Sequence, residues 1–264
     1  MEKKLIIFDM DGTLLDHKHH RIPLSTQQTI AALQAQGHVC AIATGRSPGL
    51  LYGYDKLLKI DHLVASNGRF VHSEGTTIYA HTMEADMVRR FRQAMDEAEI
   101  DFAYQTADVF VSHGFRFKHH ILFSEYFNEE IPTVDPEFND LDSVLQIIIF
   151  DQKEIPESLK QDFPELTFLR SCPYGLDVNL VGGMKEIGIG KLAQKVNISA
   201  QDTIVVGDGL NDISMFHYAG FSIAMGNAPD AVKKEADRVT ASVDEDGIYK
   251  AFKDLGYLEG VTIE

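Results

Sequence analysis

Leu5-Ile6-Ile7-Phe8 is a continuous apolar run that stops at Asp9-Met10-Asp11-Gly12-Thr13-Leu14. An unbroken apolar run closed by acidic residues and a glycine predicts a strand buried on both faces, and such strands belong to parallel sheets. The two carboxylates that follow stand at i and i+2, just before a glycine that lets the backbone turn sharply, so both can face one pocket. A strand followed by an acidic turn explains a bare pair of this kind at least as well.

The same rhythm recurs outward from that strand. Ser25 is placed to cap a helix running to about Gln36, Gly37 ends it, and a second apolar run covers Val39 to Ala43. A further strand is expected at Leu63 to Ala65. After Met184 come a helix over Glu186 to Val196, a strand over Thr203 to Val206, a helix from Asn211 and a short strand over Ser222 to Ala224. The expected fold class is α/β, with a Rossmann-like doubly wound parallel sheet as core. Ligands of such sheets bind beyond the carboxyl ends of the strands, where Asp9, Thr44 and Asp208 would emerge.

Between about Thr82 and Gly182 the pattern changes to a helix over Met83 to Ala98, an aromatic-rich stretch, and strands at Gln146 to Phe150 and Phe168 to Arg170. This segment reads as an inserted α+β cap. The expected organisation is a catalytic core of residues 1–81 and 183–264 with a substrate-specificity cap over 82–182, and Gly75 and Gly182-Gly183 as candidate hinges.

Gly207-Asp208-Gly209-Leu210-Asn211-Asp212 repeats the acidic arrangement after another apolar strand, so four carboxylates can converge at one sheet edge. Unpaired, they would repel and be driven towards protonation; a hard divalent cation removes that conflict, and oxygen-only ligands suit Mg²⁺. Thr44-Gly45-Arg46 at a strand end and Lys185 at a helix start add hydrogen-bonding and positive character. Each alone is an ordinary cap or surface residue. Together they describe a phosphate site with a carboxylate nucleophile. A carboxylate oxygen about 3.5 Å from a phosphate dianion, at an effective dielectric of about 20, meets roughly 9 kcal/mol of repulsion, or roughly six orders of magnitude in rate. Counter-charge is therefore required.

Asp9-Met10-Asp11-Gly12-Thr13-Leu14, Ala43-Thr44-Gly45-Arg46, Lys185 and Gly207-Asp208-Gly209-Leu210-Asn211-Asp212 resemble, in order, the four motifs of haloacid dehalogenase-like (HAD) phosphatases. Ser66-Asn67-Gly68, Ala224-Met225-Gly226-Asn227-Ala228 and Glu245-Asp246-Gly247-Ile248 are similar to the Cof-type subfamily (IIB), whose α/β cap lies between the second and third motifs. The resemblance covers the whole chain. It implies that Asp9 attacks phosphorus to form an aspartyl-phosphate, that Asp11 protonates the leaving oxygen and then activates water, and that Lys185 assists. It also implies a Mg²⁺ site drawn from Asp9, Asp11, Asp208 and Asp212, with Asp212 acting on the metal's water shell or orienting Lys185. Which of Asp208 and Asp212 binds directly stays open. Phosphate contacts fall to Met10, Thr44, Gly45, Arg46, Asn67, Asn211 and Lys185. Two positions depart from the pattern: Glu186 stands where glycine is common, and Arg69 where a small residue is usual. A glutamate in a first helical turn suits the helix dipole, whereas Arg69 is either surface or an extension of the anion site.

The implied function is hydrolysis of small phosphorylated metabolites such as sugar phosphates or nucleotides. A phosphomutase of the same superfamily and a non-catalytic phosphometabolite sensor are the alternatives. Asp11 argues for an oxygen leaving group, and an intact Asp9 is more than a sensor needs. The formal charge of -16, from 24 Lys+Arg against 40 Asp+Glu, speaks against nucleic acid or an anionic membrane as partner. MEKKLIIF has too short an apolar run for a leader or a span, so the cytoplasm is the expected location. Cys40 and Cys172 show no paired spacing, and Cys40 reads as a buried strand residue. His17, His19-His20 and His119-His120 read as loop histidines. The aromatics from Phe102 to Phe127 read as core, and Arg116 and Lys118 as leaving-group contacts only if their loop faces the core.

Overall fold

The computed structural model of the protein describes residues 2–16, 21–127, 130–182 and 185–261. His17, His19, His20 and Gly183 therefore lie outside the described residues. The chain forms two compact units, Met1–Gly45 with Gly53–Tyr79 and Met184–Glu264, and Arg46–Tyr52 with Ala80–Gly183. In chain order the strands among the described residues are β1 (Leu5–Phe8), β2 (Val39–Ala43), β3 (His62–Ala65), β4 (Phe70–Ser73), β5 (Thr76–Ala80), β6 (Asp101–Gln105) and β7 (Phe110–Ser112), then β8 (Thr133–Val134), β9 (Gln146–Phe150), β10 (Leu166–Cys172), β11 (Gly175–Leu180), β12 (Thr203–Gly207), β13 (Phe221–Ala224) and β14 (Arg238–Val239).

In the first unit the sheet order is β14-β13-β12-β1-β2-β3-β4-β5. β1 is parallel to both β12 and β2, with Phe8 level with Val206 on one side and Ile42 on the other. Every residue of β1 is fully buried, as its unbroken apolar run requires. The register makes Asp9, Asp208 and Thr44 leave neighbouring strands at nearly the same height, at the point where the strand order reverses. A doubly wound α/β core is thus the observed fold class.

Local details depart from the sequence reading in three places. The first helix, α1 (Leu24–Ala35), begins after Pro23, and no side chain caps it. Ser25 lies inside it, where its hydroxyl donates to Asp246 Oδ1 at 2.5 Å instead of capping. The sheet is also not wholly parallel: β4 runs antiparallel to β3. Glu74 and Gly75, with φ of 51° and 77°, connect β4 to β5, so Gly75 turns a hairpin within the first unit and is no hinge to the second.

The second unit carries a sheet of order β10-β11-β9-β6-β7-β8, antiparallel apart from the β7–β8 pair. One face packs against a helix, Ala85–Glu97, through Met87, Val88, Phe91 and Met95, which meet Phe102, Tyr104, Ile147, Ile149, Leu176 and Val178. Strand alternation sends Ala103, Ile148 and Phe150 to the opposite face, with Phe110 and Phe123. Phe102, Tyr104, Phe110 and Phe123 are therefore core residues, whereas Phe117 and Tyr126 are exposed.

Candidate active site

The turn after β1 is wound around one carbonyl. Met10 O accepts the amides of Leu14 and Leu15 at 3.0 and 2.8 Å, while the Asp9 amide donates to Val206 O at 2.9 Å. Asp9 is thereby anchored to β12 at its backbone and buried at its side chain; Asp11, one step outward, is half-buried. Met10 is fully buried, so any phosphate contact at this position belongs to its main chain.

Lys185 opens the helix Lys185–Val196. That helix lies close to the sheet because Gly188 has no side chain: a Cβ there would fall 2.6 Å from Val64 Cγ1 and 2.9 Å from Gly68 Cα. The ammonium, with no exposed surface, donates to Asp212 Oδ1 at 2.6 Å and to Asp9 Oδ1. Asp212 Oδ2 accepts the amides of Asp208 and Gly209, each at 2.8 Å. Gly207 makes this possible, since a Cβ at that position would sit 2.5 Å from Asp212 Oδ2. Asp208 accepts from Thr13 Oγ1 at 2.9 Å and from Asn227 Nδ2 at 2.9 Å, and the same Asn227 amide reaches Gly12 O at 2.8 Å.

The charges are tightly linked. Burial, and next the Asp212 carboxylate, push the Asp9 carboxyl well above the usual carboxylate range against the opposing pull of Lys185. Burial works against the Lys185 ammonium, but Asp212 and Asp9 outweigh it, so its pKa is raised and it stays charged. Asp9, Asp208 and Asp212 each bring a carboxylate oxygen within 4.8 Å of the others. This is a buried, all-oxygen donor set of the kind hard divalent cations take.

The phosphate-binding candidates assemble at the same edge. Thr44 is buried, donates its amide to Val64 O at 2.8 Å and accepts the Asn67 amide at 3.0 Å. Ser66, Asn67 and Gly68 are all left-handed, with φ of 48°, 50° and 89°. For the two non-glycines this is strain of about 1–3 kcal/mol each, of the sort retained at functional sites. It turns Asn67 so that its Oδ1 accepts from Asn211 Nδ2 at 3.0 Å, tying the ends of β3 and β12 together. Gly45 closes the same turn and ends the first segment of the first unit.

Arg46 is grouped with the second unit; its guanidinium donates to Leu50 O at 3.0 Å and lies 5.8 Å from the Tyr52 ring centroid. Arg69 is buried, not surface, and burial lowers its pKa. Arg116 donates to the carboxylates of Asp96 and Asp101 within the second unit, and His120 stacks on Phe115 with centroids 3.7 Å apart. Sequence reasoning assigned no role to Thr13 or Asn227, both of which donate to Asp208. The available signal was position: both follow strand ends in motifs already singled out.

Comparison with known proteins places this geometry. A profile of haloacid dehalogenase-like hydrolases matches residues 6–252. YkrA of Bacillus subtilis (strain 168), whose name proposes it as a phosphatase, is 37% identical over 259 residues, spanning 98% of this chain and 100% of YkrA. The crystal structure of a hypothetical protein from Geobacillus kaustophilus HTA426 is 33% identical with a TM-score of 0.91, covering 97% of this chain and 100% of that one. The HAD subclass IIB sugar phosphatase BT4131 is 31% identical with a TM-score of 0.83, over 97% of this chain and 100% of its own. The chain therefore belongs to the haloacid dehalogenase-like hydrolases, where it sits among the phosphatases of the Cof-type, subclass IIB branch.

Proposed function

We propose that the protein is a Mg²⁺-dependent phosphatase that hydrolyses small phosphorylated metabolites through an aspartyl-phosphate on Asp9. The observation that carries this reading is the buried Lys185 ammonium shared by Asp9 and Asp212, with Asp208 beside them. A nucleophilic carboxylate needs such fixed positive charge when it meets a phosphate. In the first step an Asp9 oxygen bonds to phosphorus while the bond to the leaving alcohol breaks, and Asp11 gives that oxygen its proton. In the second, Asp11 takes a proton from water, whose oxygen bonds to phosphorus as the Asp9–phosphorus bond breaks, releasing inorganic phosphate. Thr44, Asn67, Asn211 and Lys185, with the main chain at Met10 and Gly45, are suited to hold the phosphoryl oxygens, and Arg46 is assigned with them.

The donor set fits Mg²⁺, which Asp9, Asp11 and Asp208 would hold with Asp212 behind them; when bound it supplies the counter-charge between carboxylate and phosphate. The second unit is assigned as the substrate-specificity cap. The setting is cytoplasmic in this reading, and the two free, buried cysteines Cys40 and Cys172 agree with a reducing compartment. No helix among the described residues is long and apolar enough to cross a membrane. The net charge of -16 argues for a small substrate over nucleic acid or an anionic membrane.

The test is phosphate release from sugar phosphates, nucleotides and an activated aryl phosphate, with Mg²⁺ and with chelator. Mg²⁺-dependent release from at least one monoester is expected. No turnover of any of them sinks the proposal, and formation of an isomer without free phosphate turns it into a mutase.

A further inference from the structure

Asn227 follows β13 in the first unit and is exposed, yet every polar atom of its side chain is spent on the protein. Nδ2 donates to Asp208 Oδ2 at 2.9 Å and to Gly12 O at 2.8 Å, and Oδ1 accepts the Val243 amide at 3.1 Å. A main-chain amide can only donate, so Val243 settles which end of the Asn227 amide is oxygen and turns both Nδ2 hydrogens towards Asp208 and Gly12. One side chain thereby joins the turn after β1, the turn after β12 and the stretch leading to the helix Gly247–Asp254. Its backbone is fixed from two sides. The Met225 amide donates to Gly207 O at 2.9 Å and the Gly226 amide to Ala241 O at 3.0 Å. A Cβ at Gly226 would fall 2.5 Å from Ser242 N, so only glycine brings the chain this close to the Ala241–Val243 stretch.

We infer that Asn227 is a positioning residue for the proposed Mg²⁺ site, acting through Asp208 and not as a ligand itself. This role rests on the reading of Asp208 as a Mg²⁺ ligand. Asp208 is buried and receives Thr13 Oγ1 on Oδ1 and Asn227 Nδ2 on Oδ2, donors on opposite oxygens that hold the plane of the carboxylate. Both donors are neutral. They orient the carboxylate without cancelling the charge a cation needs, as a lysine or arginine in the same place would. The bond to Gly12 O completes the role, because it ties Asp208 to the turn that carries Asp9 and Asp11. The spacing between the acids of the first turn and the acid of the second is thus set in part by one amide, and that amide is itself held by Val243.

The experiment is calorimetric titration of the full chain with Mg²⁺ and no substrate, with the melting temperature in chelator as the separate measure of folding. Asp208→Asn identifies the binding event to follow, as the one it removes. Asn227→Ala should weaken that event roughly 10–100-fold while lowering the melting temperature in chelator by no more than about 5 °C. If Asn227→Ala does not fold, Asn227→Leu, which fills similar space without hydrogen bonds, makes the same comparison. The opposite oxygen supplies a matched pair: Thr13→Val should weaken Mg²⁺ binding in the same way, and Thr13→Ser, which keeps the hydroxyl, should stay within about threefold of wild type. Wild-type Mg²⁺ affinity in the Asn227 variant overturns the role and leaves the phosphatase reading standing. So does a loss of binding that appears only with a large fall in melting temperature, since Asn227 then supports the fold and not the site. If the wild type shows no Mg²⁺ binding that Asp208→Asn removes, the metal reading itself falls and the role of Asn227 with it.

Discussion

Replacing Lys185 with methionine removes one positive charge from the centre of the site while keeping most of the side chain's bulk. Lys185 and Asp212 have no exposed side-chain surface and Asp9 has 9%, so water cannot take over the lost role. At 2.6 Å and an effective dielectric of about 20, the attraction of Lys185 for Asp212 alone is about 6 kcal/mol before desolvation is subtracted. Removing one partner of a buried pair costs about 3–5 kcal/mol, and this removal leaves two carboxylates uncompensated. At roughly 2–4 °C per kcal/mol, the melting temperature of Lys185→Met should fall by roughly 6–20 °C. The pH dependence supplies the sharper test. The folded Asp9 holds its proton above the ordinary 3.8, so raising pH through the interval between the two pKa values destabilises the fold, and lowering it restores stability. Without Lys185 to pull it down, that interval extends upward. The deficit of Lys185→Met relative to wild type should therefore narrow as the pH falls from about 8 to about 5 in parallel thermal melts. A deficit under about 1 kcal/mol, or one that acid does not narrow, would refute the assignment of Lys185 as the counter-charge of Asp9.

Gly207→Ala puts a methyl group 2.5 Å from Asp212 Oδ2, which must leave the amides of Asp208 and Gly209. A loss of about 1–3 kcal/mol in urea unfolding is expected, and unchanged stability would contradict the close approach. Asp11→Asn should slow hydrolysis of alkyl phosphates by roughly 10²–10⁴-fold while sparing activated aryl phosphates; equal losses on both would remove Asp11 from the role of acid. Cys40, 3% exposed and pushed up to about 12 by burial, should resist alkylation in the native protein at about pH 8 and react only on unfolding. His38 is buried and accepts the Lys4 amide at Nδ1 at 3.1 Å, and burial lowers its pKa from 6.5. The unfolded chain thus gains a proton below 6.5 that the folded chain resists, so stability falls on acidification through that region; His38→Gln should flatten that part of the curve in denaturant titrations.

The strands that carry the candidate site were legible because their chemistry is local. Leu5–Phe8 and Thr203–Gly207 announce burial on both faces by composition alone, and each ends in an acidic turn. The second unit was read less completely. β6 and β11 alternate apolar and polar side chains, and only their pairing with β9 joins them into one sheet. Ser25 misled for a related reason: it has the chemistry of a cap, but Asp246, far along the chain, competes for its hydroxyl and wins. The hairpin at Gly75 was missed because left-handed Glu74 is an unusual partner for the turn glycine. Arg69 looked like surface because its type usually is, and its burial is a tertiary fact.

The sequence treats Asp208 and Asp212 as equivalent acids on one turn, and the hydrogen bonds separate them. Asp212 accepts three: two main-chain amides on Oδ2 and the Lys185 ammonium on Oδ1. Its negative charge is thus spent on fixing the turn between β12 and Asn211 and on positioning Lys185 against Asp9. Asp208 accepts neutral donors, the Thr13 hydroxyl and the Asn227 amide, which orient the carboxylate without neutralising it. A carboxylate oriented next to Asp9 by neutral donors gains more from a cation than one already sharing a buried ammonium. On this division Asp208 belongs to the proposed metal and Asp212 to the lysine. Asp212→Asn should then disturb Lys185 and stability more than Mg²⁺ affinity, and Asp208→Asn the reverse.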